Sequence, residues 1–114
     1  RDSQMSVEEK QQAPIIEVAG DLNAGNVAAG KTLKCSLPIK NAGENALEVR
    51  RIYSTDKALT IKQPKAVKSG KKANVSIDIN TKALPAGSYS REVVIITNDY
   101  ASPVKRVKVN FVIE

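Results

Sequence analysis

Leu33-Lys34-Cys35-Ser36-Leu37-Pro38-Ile39-Lys40 alternates apolar and polar residues without a break. A period of two marks an extended strand with one dry and one wet face, whereas a helix would repeat its apolar residues every three or four positions. The same alternation recurs on either side. Ile15 to Val18 precedes it, and Leu47 to Tyr53, Ala58 to Ile61, Ala73 to Ile79, Tyr89 to Thr97 and Val104 to Ile113 follow, which predicts seven short strands. Between them stand Asn41-Ala-Gly-Glu-Asn45, Ser69-Gly70, Leu84-Pro-Ala-Gly87 and Asn98-Asp99, which supply the Gly, Pro, Asn and Asp that tight connections require.

Short strands about ten residues apart, with no helical stretch long enough to carry a parallel crossover, predict an all-β fold: an Ig-like antiparallel β-sandwich of about seven strands. The phase of each strand names its dry side. The expected core is Ile16, Val18, Leu33, Cys35, Leu37, Ile39, Leu47, Val49, Ile52, Ile61, Val75, Ile77, Ile79, Tyr89, Val93, Ile95, Val107, Val109, Phe111 and Ile113. Burying one aliphatic side chain is worth about 1.5–3 kcal/mol, so a core of this size can offset chain entropy without a covalent staple. Pro38 has no N–H to give a ladder, which predicts a free edge or a bulge at that point. Arg91 falls on the dry side by phase; since an unpaired buried Arg is rare, it is expected near the end of the sandwich with its head toward water.

The chain has 114 residues, 41% apolar and 26% charged, with a net charge of +6. That length suits one domain, and no apolar run approaches the ~20 residues of a bilayer span. Residues 1–14 are polar and end at Pro14; they are expected to form a flexible tail, and residues 15–114 the domain. The first residue is Arg1 rather than Met, which leads us to expect that a leader was removed ahead of this numbering.

Composition argues against an enzyme. There is no His and one Cys, Cys35, which removes the commonest general base, most zinc sites and every Cys–His pair. Cys35 lies on a dry face, where burial raises a thiol pKa and leaves it inert. Asp56, Asp78 and Asp99 are scattered as solvated charges usually are, and no phosphate loop or Gly-x-Ser-x-Gly motif is present. No catalytic residue, cofactor or metal ligand is therefore expected. Gly87-Ser88-Tyr89, opening a strong strand, fits a tyrosine corner whose hydroxyl bonds back to nearby backbone. The antibody subclass is excluded, because Arg91 stands where its Cys would be and there is no Trp.

Charge is the most uneven feature. Between Lys57 and Lys82 lie seven Lys (57, 62, 65, 68, 71, 72 and 82) against Asp78 alone. With Arg50 and Arg51, residues Lys62, Lys65, Lys68, Lys71 and Lys72 form the candidate binding face. One reading is attraction of an anionic polymer, an acidic glycan or nucleic acid. The other is that Lys guards exposed edges against edge-to-edge pairing. The scarcity of Arg forks and stacking aromatics in this segment disfavours nucleic acid.

Asn23-Ala-Gly-Asn-Val27, Gly30, and Ile39-Lys-Asn-Ala-Gly-Glu-Asn-Ala-Leu47-Glu-Val49 together resemble the bacterial domain-of-unknown-function family 1573, and more loosely Hydin-like and major-sperm-protein-like Ig domains. Lys68-Ser-Gly70-Lys-Lys-Ala-Asn-Val75-Ser-Ile77 and the stretch from Gly87-Ser-Tyr89 to Thr97-Asn98-Asp99 extend the likeness, which covers about residues 20 to 114. Tyr53-Ser-Thr-Asp-Lys-Ala lacks the cysteines that the first family often carries there, so no redox or metal role transfers. The resemblance implies an exported bacterial protein, periplasmic, surface-attached or secreted. The resulting expectation is a noncatalytic interaction or scaffold module whose partner is another protein or a cell-envelope component.

Overall fold

A computed structural model describes residues 12–114. Most of the expected tail lies outside the described residues. Among the described residues nine strands run in order: β1 (Ile16–Glu17), β2 (Leu22–Val27), β3 (Thr32–Asn41), β4 (Leu47–Tyr53), β5 (Leu59–Lys62), β6 (Ala66–Val67), β7 (Lys72–Asn80), β8 (Gly87–Thr97) and β9 (Val104–Ile113). They form two sheets, β1-β3-β7-β5 and β2-β9-β8-β4-β6. The all-β, Ig-like sandwich read from the alternation is the fold of the chain.

Fifteen of the twenty expected core residues are buried; the other five, Val18, Leu33, Cys35, Ile61 and Tyr89, lie half-buried against them. Val27, Leu59 and Val67 complete the core from segments whose phase is harder to read. β2 carries a bulge between Asn23 and Gly25, which breaks the period of two, and β6 has only two residues, too few for any period.

One pairing departs from the expected antiparallel order. β2 runs parallel to β9, from Leu22↔Val109 to Val27↔Ile113. A parallel pair needs a long connection, and here nearly the whole domain lies between the two strands, so no helix is required. The chain reaches this position by leaving the first sheet after β1 and joining the second as β2.

The two sites that departed from simple alternation are both explained. β1 pairs only with Lys40 and Asn41, so among the described residues the edge of β3 is free at Pro38. Arg91 is half-buried, as its phase requires, but its head is paired: Nε donates to Asp56 Oδ2, Nη1 donates to Ser90 O at 3.0 Å, and the guanidinium lies 5.0 Å from the Tyr89 ring centroid. Tyr89 forms the tyrosine corner, its hydroxyl donating to Pro85 O at 2.6 Å while its ring stacks 5.2 Å from Phe111.

Candidate interaction surface

The seven candidate basic residues do not share one face: two groups form, and Lys62 stands apart from both. Lys68, Lys71 and Lys72 belong to the turn that opens β7. Gly70 permits this turn with a φ of 71°, its N–H donates to Asn41 O at 2.8 Å, and Asn41 N–H donates to Lys71 O at 3.0 Å. Lys72 pairs across the ladder with Lys40, a like-charge neighbour absent from the expected face. Lys62 pairs with Ser76, four residues along β7 from Lys72, a separation of roughly 13 Å.

The second group gathers on the outer edge of β4. The register of β4 on β8 slips between Val49 and Arg51, placing Arg50 in a bulge. A bulge leaves main-chain groups without ladder partners, and the β5–β6 connection supplies them. Gln63 Oε1 accepts Ile52 N–H at 2.7 Å, Gln63 Nε2 donates to Val49 O at 3.3 Å, and Lys65 O accepts Val49 N–H at 2.9 Å. Lys65 is thereby held at the Arg50 bulge, apart from the Lys68–Lys72 turn, whereas Lys62 stands apart from both, sharing a surface depression on the four-stranded sheet with Lys34, Ser36 and Thr60.

Arg51 also belongs to a feature that the sequence reading missed. Its guanidinium lies 4.3 Å from the Tyr53 ring centroid. On the outer face of the five-stranded sheet, Tyr53 pairs with Val94 and Val94 with Arg106; one step along, Arg51 pairs with Ile96 and Ile96 with Val104. Val93 and Ile95 fill the core, so Val94 and Ile96 point away from it. Val94 is nonetheless only 5% exposed, while Val104 at the rim is 45% exposed. Arg106 is braced by Glu92 at 3.1 Å. The signal lay in Val93-Val94-Ile95-Ile96: an unbroken apolar run places apolar side chains on both faces of its strand.

The polar interior is structural. Asp99, expected among the solvated carboxylates, is 3% exposed: Oδ2 accepts Ile16 N–H at 3.0 Å, and Oδ1 accepts Ala101 and Ser102 N–H at 3.1 Å each. Its carboxylate ties the β8–β9 loop to β1, work that needs a long-range partner invisible in the local sequence. Asn41 is fully buried and makes four side-chain bonds, accepting from Ile15 and Gly43 N–H and donating to Asn45 and Val67 O. Cys35 is half-buried, its thiol donating to Ile77 O at 3.4 Å; burial, with the nearby Asp78, pushes its pKa up and away from a reactive thiolate. Among the described residues, no buried side-chain nitrogen or oxygen lacks a partner and no cluster of His, Cys, Asp or Glu could hold a metal. No described helix is long and apolar enough to cross a membrane.

The family model of the HYDIN/CFA65/VesB-like Ig-like domain matches residues 14–110. No curated protein matches the chain in sequence. Among solved structures, a protein of unknown function from Porphyromonas gingivalis superposes with a TM-score of 0.81 at 24% identity, over 96% of this chain and 50% of its own. The secreted serine protease VesC from Vibrio cholerae follows at 0.60 and 15% identity, over 94% of this chain and 24% of the protease. The ASH/PapD-like domain 7 of human CEP192 gives 0.59 at 14% identity, over 97% of this chain and 91% of that domain. The chain thus spans half the length of the Porphyromonas protein and about a quarter of the protease.

Proposed function

Because the chain belongs to the HYDIN/CFA65/VesB-like family of Ig-like domains, we propose that it is a noncatalytic interaction or scaffold module of an exported bacterial protein, built to meet another protein or a cell-envelope component. The strip of Arg51, Tyr53, Val94, Ile96, Val104 and Arg106 carries this reading. Arg and aromatic side chains around a desolvated aliphatic centre are the composition of energetically dominant protein-interface residues. Arg50 and Lys65 border the strip along the β4 edge and steer an acidic partner toward it.

Likeness to a secreted protease supports a place outside the cytoplasm, and the short coverage of that protease supports a role beside other domains. The narrower kinship with domain-of-unknown-function family 1573 belongs to the same proposal and rests on the Asn23–Val27 and Ile39–Val49 segments.

A photo-cross-linking residue in place of Val104, exposed to a bacterial envelope fraction, tests the proposal. A discrete product that disappears on adding Arg51→Glu and Arg106→Glu is the expected result. An equal product from a linker at Thr60, exposed on β5 of the other sheet, would overturn it. The alternative is an anionic-polymer binder acting through Lys40, Lys68, Lys71 and Lys72, favoured by the like-charged Lys40–Lys72 pair. That reading requires retention on heparin that falls steeply with salt and is lost in Lys68→Glu/Lys72→Glu.

A further inference from the structure

The geometry points to a second binding surface, on the other sheet: the free edge of β3 accepts an extended acidic segment of a partner protein as an added antiparallel strand. Backbone direction alternates along a strand. Asn41 N–H points to β7, since it donates to Lys71 O, whereas Ala42 N–H points to the β1 side, since it donates to Ile15 O. Odd-numbered residues of β3 therefore bond to β7, and even-numbered ones face outward. β1 covers only Lys40 and Asn41, which leaves the N–H and C=O of Lys34 and Ser36 and the C=O of Pro38 without a backbone partner among the described residues. Pro38 sits where its missing N–H costs no ladder bond. From Lys34 to Pro38 the edge is roughly 13 Å long, room for about five residues of added strand.

Where β1 ends, this edge opens into a groove of about 590 Å³. Ile16, Val18 and Ile39 give it an apolar floor, and Lys40, Lys72 and Lys105 stand around it, with Glu17 the one acid in its lining. Lys34, opposite Asp78 of β7, adds a further cation on the exposed face of β3. A second copy of this chain would set Lys34 and Lys40 against their own kind, and like charges opposite one another destabilise a ladder. An incoming strand that alternates acidic and apolar residues meets both requirements: its acids face Lys34, Lys40 and Lys72, and its apolar residues face Ile16 and Val18. Strand addition of this kind draws affinity from main-chain hydrogen bonds and specificity from the alternate side chains. The lysines that guard the edge against other sheets thus select its guest.

The test uses the full chain and a capped peptide alternating Glu and Val over about six residues, against the same peptide with Lys in place of Glu. Saturable binding of the Glu peptide, with slowed amide exchange at Lys34 and Ser36, is expected. Ser36→Pro removes an outward N–H and none of the bonds to β7; it should weaken binding about tenfold or more. Lys40→Glu with Lys72→Glu should reverse the preference between the peptides. Equal binding of both peptides, or salt-sensitive binding that leaves the Lys34 and Ser36 amides unprotected, would overturn the proposal. So would protection of those amides by self-association without peptide. Exchange at Lys34 and Ser36 is read on the unaltered chain and does not depend on Ser36→Pro folding. Because the Arg51–Arg106 strip lies on the opposite sheet, loss of either surface leaves the other testable.

Discussion

The edges of the two sheets are treated in opposite ways. Along β4 the main chain is sealed: Gln63 supplies a donor and an acceptor to the bulge, Lys65 accepts from Val49, and β6 pairs with Leu47 and Glu48. Along β3 the main chain is left open beyond Lys40 among the described residues, flanked by Pro38 and lysines. A sealed edge contributes stability and leaves its outer face to carry side-chain recognition, while an open edge keeps hydrogen-bonding capacity for a guest. The difference teaches that side-chain polarity alone does not mark an edge as protected; the fate of each main-chain group does.

The largest effect is expected where the two edges share a fastening. Asn41 holds β1 through Ile15 N–H and β6 through Val67 O, so Asn41→Ala leaves buried donors and acceptors unpaired at both edges. It should cost about 3–5 kcal/mol in urea unfolding. Asn41→Asp, which keeps the acceptor oxygen, should show early amide exchange at β6 before β1.

Gly43→Ala disturbs the open side alone. A Cβ there would meet Ala13 O at 2.1 Å and Ile15 N at 2.7 Å, so the segment leading into β1 must move. The expected loss is about 1–3 kcal/mol, with faster exchange at Ile16 and an unchanged Ile52. Gln63→Ala is the converse experiment on the sealed side: about 1–2 kcal/mol, with fast exchange at Ile52 and none gained at Ile16. Equal loss of protection at both amides in either variant would show that the edges are not independent.

The smallest effect is a pH dependence on the sealed side, where Asp56 and Arg91 fasten the connection into β5 to β8. Ala58 N–H donating to the Asp56 carboxylate, with Arg91 reinforcing it, holds this carboxyl below its ordinary 3.8. A depressed folded-state pKa adds stability that is present above the unfolded value and lost as pH falls through the folded one. The stability gap between the wild type and Asp56→Asn should therefore be full near pH 7 and close below about pH 4. A gap that is constant across that range would remove the ionic part of this fastening.

Much of this could be read from residue order. Leu37, Ile39, Val75, Ile77, Val93 and Val109 are buried as their phases require, because alternation in a strand is a local property. Tyr89 was legible for the same reason, since its partner Pro85 lies four residues away. The candidate site was legible only in part. Arg50 and Arg51 could be marked by type, but Tyr53, Val94, Val104 and Arg106 come from three strands and meet only when those strands pair. Asp99 and Ile16 are 83 residues apart, and nothing near either one predicts their bond.

Residue order by itself determined a two-layer β fold, the dry side of its main strands and a composition without His. Tertiary structure alone decided that β2 lies parallel to β9, that Asp99 is buried, that one edge is sealed by Gln63 and that the other is open. The physical reason is reach: side-chain period depends on neighbours two residues away, whereas the partner of a main-chain group depends on which distant strand arrives beside it.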